Sequence, residues 1–152
     1  MPGVAVVVPW RGGCPHRERA WAWVRARLAT EHPDWEIIEA PGPEPWIKSL
    51  AVMPAVERCS AGIIVVHDAD VISAGTTAAV EEVRAGAPWA QPHQTVHRLS
   101  EEGTAAVLAG ADPEGQPLAE RPHQGMQGGG IVVLPRVVIQ SIPLDAAFVG
   151  WG

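Results

Sequence analysis

The chain has 152 residues, of which 47% are hydrophobic and 18% are charged, and its formal net charge is −6. This length suits one domain, and the apolar fraction is too high for a disordered chain. The acidic balance argues against binding to nucleic acid, and no stretch approaches the roughly 20 apolar residues of a membrane span.

The cellular compartment is predicted from processing signals and cysteines. The early apolar run at residues 4–8 is too short for a signal-peptide core and has no basic segment before it. Cys14 and Cys59 are isolated, so we expect two free thiols rather than a disulfide. We therefore expect a cytoplasmic protein.

Strands and helices are predicted to alternate along the first half of the chain. The β-branched run at residues 4–8 predicts a buried strand, and apolar residues at helical spacing follow at 16–29. Residues 36–40 predict a second strand and 46–59 a second helix, in which Pro54 indicates a kink or a split.

The same alternation continues through the second half. We expect strands at 63–66, 89–99 and 131–134, helices at 76–85, from Ser100 and at 136–140, and a loop at 111–124. The pattern predicts a single α/β domain over residues 1–152, built on an open, mostly parallel sheet flanked by helices.

Two carboxylates directly follow the most strand-like segment. Ligands of open α/β sheets bind outside the carboxyl ends of the strands, where Asp68 and Asp70 are expected to lie. Carboxylates two residues apart can bind Mg²⁺ or Mn²⁺, which in turn holds a diphosphate. The alternative is that they only end a strand and begin a turn. His67 is expected to face the core.

Two further features favour an anionic ligand. The turn after the first strand offers backbone amides, the ring of Trp10 and the guanidinium of Arg11, which are groups that hold nucleotides or phosphates. Lys48 lies near the start of the second predicted helix, where a cation opposes the helix dipole unless it meets an anion. The alternative for both side chains is solvent exposure. No zinc-binding or dinucleotide-binding motif is present.

Four short blocks together resemble a known family. They read VAVVVPWR at residues 4–11, HDADVI at 67–72, GGGIVVLPR at 128–136 and FVGWG at 148–152. In this order they resemble the GT-A-fold glycosyltransferases, closest to the galactosyltransferase and polypeptide N-acetylgalactosaminyltransferase group. The resemblance implies a Rossmann-like GT-A fold and Mn²⁺- or Mg²⁺-dependent, inverting transfer of a sugar. The donor would be a nucleotide diphosphate sugar, above all a UDP-sugar, and the acceptor a hydroxyl of a glycan, protein or small molecule.

The resemblance also implies site residues. Asp68 and Asp70 would bind the metal, with Asp70 the more direct ligand. The residues expected to contact the nucleotide sugar are Pro9, Arg11, Glu39, Lys48, Asp68, Gly129, Gly130 and Trp151. Among them Glu39 would lie near the base or ribose, Lys48 towards the diphosphate, and Trp151 in the sugar pocket.

One departure from the family concerns the catalytic base. In the family the GWG motif is followed within two residues by an acidic pair, whereas this sequence ends at Gly152. The base is therefore expected beyond Gly152, and the domain is either truncated or a natural short form. The alternatives are a catalytically impaired module that binds nucleotide sugars or glycans, and a HAD-like phosphatase. The phosphatase fits poorly because no lysine follows Asp70.

Overall fold

A computed structural model describes residues 2–125 and 129–149 of the chain. Its elements in chain order are β1 (Val4–Trp10), α1 (Pro15–Glu31), β2 (Glu36–Pro41), α2 (Lys48–Arg58), β3 (Ile63–His67), α3 (Thr76–Arg84), β4 (Thr95–Val96), α4 (Glu101–Leu108), β5 (His123–Gln124), β6 (Ile131–Pro135) and α5 (Arg136–Ser141). The chain divides into two compact units, Met1–Pro92 with Gly130–Gly152, and His93–Gly129. The single-domain interpretation stays a prediction.

The first unit is built on a four-stranded sheet in the order β2-β1-β3-β6. β1 pairs in parallel with β2 and β3, as expected when helices connect successive strands. β6 is antiparallel to β3, because it begins beside His67, where β3 ends, and runs back along it. The prediction of an open, mostly parallel sheet flanked by helices is confirmed.

The sheet separates two layers of the core. Since alternate residues of a strand point to opposite faces, Val6 and Val65 belong to one layer and Val7 and Ile64 to the other. The first layer is completed by side chains of α1 and α3, and the second by side chains of α2 and α5. Both faces of β1 and β3 are therefore buried, which explains their continuous apolar runs.

Two predicted details differ in the structure. α2 runs through Pro54 without splitting, since Pro54 and Leu50, the residue one turn before it, both lie on the exposed side of the helix. The carbonyl of Leu50 that loses its amide partner can bond to water there. The predicted strand at 89–99 is reduced to β4 and a bridge between Ala90 and Val133.

The second unit contains a two-stranded antiparallel ribbon and one helix. Thr95 of β4 pairs with Gln124 of β5. Ser100 caps α4 by accepting a hydrogen bond of 3.0 Å from the amide of Gly103. The loop predicted at 111–124 holds a bridge from Leu118 to Leu99 and the residues of β5.

Two predictions about the whole chain can be compared with the structure. Cys14 and Cys59 are free thiols, as expected, and Cys59 is buried. Within residues 2–125 and 129–149, no helix has both the length and the apolar character needed to cross a membrane.

Candidate functional site

An ion pair lies at the carboxyl edge of the sheet. Lys48 is the first residue of α2 and Asp68 is the first residue after β3. The Lys48 Nζ lies 2.9 Å from Asp68 Oδ1, with side chains 21% and 26% exposed. Both residues are predicted from the family resemblance to lie near a diphosphate, and the structure brings them into direct contact.

Gly130 shapes the other side of the same carboxylate. Its carbonyl accepts a hydrogen bond of 2.8 Å from the amide of Asp68, which joins β6 to the end of β3. A Cβ atom on Gly130 would stand 2.8 Å from Asp68 Oδ2, and the φ angle of 70° also favours glycine. The lack of a side chain therefore allows the backbone at Gly130 to pack closely against the Asp68 side chain.

His67 positions Asp68 from inside the core. Its side chain is buried, and its Nδ1 lies 2.7 Å from the backbone carbonyl oxygen of Asp68. A carbonyl oxygen only accepts, so Nδ1 carries the proton and donates it. Burial lowers the pKa of His67, against the opposing effect of its bond to Asp68 and of the nearby Asp68 and Asp70 charges. His67 is thus a neutral core residue, as expected from its place in the strand.

The carboxylates of the site suit a divalent cation that is bound together with a phosphate-containing ligand. Among the described residues, no group of three or more His, Cys, Asp or Glu side chains could hold a metal ion. Asp68 and Asp70 are two hard oxygen donors, and Mg²⁺ is commonly bound by one or two carboxylates together with phosphate oxygens. The residues present therefore fit a shared cation, whereas a self-sufficient manganese site of the DxD type is not supported.

The turn after β1 already binds carboxylates of the chain itself. The amide of Gly13 donates to Glu18 Oε1 at 2.9 Å, and Arg11 forms an ion pair with Glu44. Pro9, in contrast, is buried within β1 and paired with Ala40 of β2. The exposed groups of this turn thus bind carboxylate oxygens of the chain, and their binding of a ligand stays a prediction.

The remaining predicted contacts are dispersed. Glu39 Oε1 accepts a hydrogen bond of 2.9 Å from Trp21 Nε1 of α1. Gly129 belongs to the second unit, where a Cβ atom would overlap the ring of His93. Trp151 lies outside the described residues. The structure thus brings together Lys48, Asp68 and Gly130, and the binding roles of all these residues stay predictions.

A cleft that was not predicted from the sequence lies beside Lys48. It has a volume of about 340 Å³ and extends from Lys48 and Ser49 to Phe148. Its walls come from α2, β3, β6, α5 and the segment that follows α5. No local pattern could have indicated it, because these segments are far apart in sequence.

The arrangement is of the Rossmann-like α/β type, with polar groups at the carboxyl ends of parallel strands. Among solved structures, the chain is similar to the bifunctional IspDF from Campylobacter jejuni. The TM-score is 0.52 at 11% identity, over 96% of this chain and 44% of that one. A 4-diphosphocytidyl-2C-methyl-D-erythritol synthase from Anaerococcus prevotii gives a TM-score of 0.44 at 9% identity, over 93% and 74%. The chain spans less than half the length of IspDF. No protein-family model and no curated protein matches it.

The resemblance to GT-A glycosyltransferases is wrong. The solved structure that the chain resembles at a TM-score of 0.52 is that of IspDF, not of a glycosyltransferase, so sugar transfer, a UDP-sugar donor and a hexosyltransferase are not supported. Neither the nucleotide-sugar-binding module nor the phosphatase fits better. The resemblance depended on four short blocks, and carboxylates after a buried strand recur wherever an open α/β sheet binds a ligand at that edge.

Proposed function

We propose that this chain provides the nucleotide-binding part of a metal-dependent nucleotidyltransferase. The enzyme transfers the nucleotidyl group of a nucleoside triphosphate to an acceptor and releases pyrophosphate. The ion pair of Lys48 and Asp68 at the carboxyl edge of the sheet supports this most directly. The likeness in fold to IspD-type nucleotidyltransferases agrees with it.

The positive groups of the site are suited to phosphate. Lys48 has three N–H donors, of which one bonds to Asp68, and a cation that binds Asp68 releases that donor for phosphate oxygens. Arg11 lies in the turn after β1, with its side chain half exposed, and can exchange Glu44 for a phosphate. The chain is acidic overall, so these local cations matter for an anionic substrate.

The carboxylates complete the site. Asp68 and Asp70 would hold Mg²⁺, which when bound supplies charge neutralisation for the phosphates. His67 fixes the backbone at Asp68 by its hydrogen bond of 2.7 Å, and Gly130, which has no Cβ atom, packs closely against the carboxylate. These residues orient the Asp68 carboxylate before a ligand binds, so less conformational entropy of that side chain is lost on binding.

The reaction is a substitution at the α-phosphorus. An oxygen of the acceptor forms a bond to the α-phosphorus, and the bond from that phosphorus to the bridging oxygen breaks. The electron pair leaves with pyrophosphate, and an ionised acceptor oxygen requires no base. The Lys48 ammonium stabilises the negative charge that develops on the phosphate oxygens.

Calorimetry with each of the four nucleoside triphosphates, with and without MgCl₂, tests this function. We expect binding that requires Mg²⁺ and is lost in Asp68→Asn. Asp34→Asn, at an exposed turn residue, is the matched control and should bind like the wild type. Failure of all four nucleotides to bind in the presence of Mg²⁺ would refute the proposed function.

A further inference from the structure

A small polar cavity lies beside His67, on the side of the sheet that α1 and α3 cover. Its volume is about 10 Å³, which is close to the smallest volume that holds one water molecule. Six of its eight lining residues have polar side chains: Arg27, Glu31, His32, His67, Ser73 and Thr76. Cavities that stay empty are lined by apolar side chains, so these walls favour an ordered water.

The imidazole of His67 needs a hydrogen-bond donor in this cavity. Its Nδ1 donates to the backbone carbonyl oxygen of Asp68 at 2.7 Å, so Nε2 of the neutral ring carries a lone pair and accepts. In the described part of the chain, no residue donates to Nε2. The His67 side chain is only 1% exposed, and a buried acceptor without a partner is destabilising.

The two hydroxyl groups that line the cavity cannot supply this donor. Thr76 Oγ1 donates its proton to the carbonyl of Ser73 at 2.9 Å, and Ser73 Oγ donates its proton to the carbonyl of Pro92. Both protons are therefore in use. The lone pairs of Thr76 Oγ1 remain, whereas Ser73 Oγ already accepts from the amide of Gly75. The cavity thus brings together acceptors that lack a donor.

We propose that this cavity binds one water molecule, which donates one proton to Nε2 of His67 and the other to Oγ1 of Thr76. A ligand must donate twice to satisfy both groups, and water does so at the size of this cavity. The Nη groups of Arg27, whose Nε is bonded to Glu31 at 2.7 Å, are donors that can bond to the water oxygen. A metal cation suits the cavity less well, because the positive guanidinium of Arg27 lines it.

The water connects α3 to the backbone of the candidate site. His67 bonds through one ring nitrogen to the carbonyl of Asp68 and, through the water, by the other to Thr76 at the start of α3. The amide of Asp68 in turn donates to the carbonyl of Gly130 at 2.8 Å. Thr76 is thus a positioning residue for Asp68, and it acts through the water and His67. This role holds whichever ligand Asp68 binds.

NMR spectroscopy and crystallography of the full chain test the water directly. In ¹⁵N spectra of His67 we expect a protonated Nδ1 and an unprotonated, hydrogen-bonded Nε2, with magnetisation transfer from water to the ring protons. A high-resolution crystal structure should show a water within about 2.7–3.2 Å of both Nε2 and Thr76 Oγ1. A dry cavity, or a direct hydrogen bond from the ring of His32 to Nε2, would overturn the proposal.

Variants of α3 test the positioning role. Thr76→Val removes the hydroxyl at nearly constant volume, Thr76→Ser keeps it, and Thr77→Val changes an exposed neighbour. We expect Thr76→Val alone to shift the Nε2 signal of His67. It should also raise the hydrogen-exchange rate of the Asp68 amide at least about threefold relative to the amide of Val6 in β1. Val6 serves as the reference because exchange in the core strand follows the stability of the whole fold.

The variants give results that a general loss of stability would not give. An Nε2 signal that is the same in Thr76→Val and in the wild type would show that Thr76 does not share the water, and the proposal would be wrong. An equal shift in Thr77→Val would contradict it as well, because that side chain does not line the cavity. The wild-type spectra and crystal structure decide the presence of the water even if Thr76→Val does not fold.

Discussion

The ammonium group of Lys48 and the carboxylate of Asp68 lie 2.9 Å apart, although the two residues are separated by 20 positions in the sequence. A cation that binds Asp68 must displace the Lys48 ammonium, and a phosphate that binds Lys48 must displace the Asp68 carboxylate. A metal–nucleotide complex replaces both partners at once. Metal and nucleotide should therefore bind cooperatively, each increasing the affinity for the other by the same factor.

Lys48→Met tests this competition because it should change the affinities for free Mg²⁺ and for the Mg²⁺–nucleotide complex in opposite directions. Removing the ammonium should raise the affinity of Asp68 for free Mg²⁺ several-fold and lower the affinity for the Mg²⁺–nucleotide complex at least about tenfold. Calorimetry with MgCl₂ alone and with MgCl₂ plus nucleotide measures both. Arg58→Met, at the exposed far end of α2, is the control and should change neither. An unchanged or weaker affinity for free Mg²⁺ in Lys48→Met would contradict the competition.

The sequence predicted the ends of β1, β2, β3 and β6 to within two residues, but not which side chains lie together at those ends. The placement of Asp68 after a buried strand followed from an apolar run and was correct. Its pairing with Lys48 could not be predicted, because helical spacing does not say which strand end a helix start approaches. The antiparallel direction of β6 could not be predicted either, because an apolar run in the sequence does not show which way the strand runs in the sheet.

Glu39 shows what a motif does not record. The family resemblance implies a place near the base or ribose, which stays a prediction, and the structure adds a hydrogen bond from Trp21 to the Glu39 carboxylate. That bond joins residues 18 positions apart and has no signature in either local segment. A motif records residue types in order, whereas the partners of a side chain depend on packing between elements.

Gly130→Ala should destabilise the fold and displace the Asp68 carboxylate. The new Cβ atom would stand 2.8 Å from Asp68 Oδ2 at a φ angle of 70°. We expect a loss of about 1–3 kcal/mol in the free energy of unfolding, together with weaker nucleotide binding. Urea denaturation measures the loss. Gly3→Ala is the control, because a Cβ atom at Gly3 meets nothing within 4 Å. Equal stability of the two variants would argue against the close approach.

The buried His67 should make stability depend on pH. Burial lowers its pKa in the folded protein, while the unfolded chain keeps a value of about 6.5. Below that value the unfolded state binds a proton that the folded state does not. The contribution of His67 to the free energy of unfolding is therefore complete above about pH 6.5 and is lost as the pH falls further. Urea denaturation from pH 7 to pH 5 should show a steeper loss for the wild type than for His67→Asn.

A second histidine, His32, contributes to the same pH dependence of stability. Burial also lowers the pKa of His32, against the opposing charge of Glu31, so His32 contributes a loss of the same sign. His32→Gln should therefore remove part of the slope, and the double variant should remove more than either single variant. A slope that is the same in the wild type and in His67→Asn would show that His67 takes up its proton in the folded state.

Trp21 and Glu39 allow a structural role to be separated from ligand binding. The hydrogen bond of 2.9 Å between them fastens α1 to the edge strand β2, so Trp21→Phe should lower the free energy of unfolding by about 1–2 kcal/mol. It leaves the Glu39 carboxylate near Arg25, at 3.8 Å, and open to water. If Glu39 also contacts the base or ribose, Glu39→Gln will weaken nucleotide binding while Trp21→Phe will not. If both variants change stability alone, Glu39 serves the fold and the predicted contact is wrong.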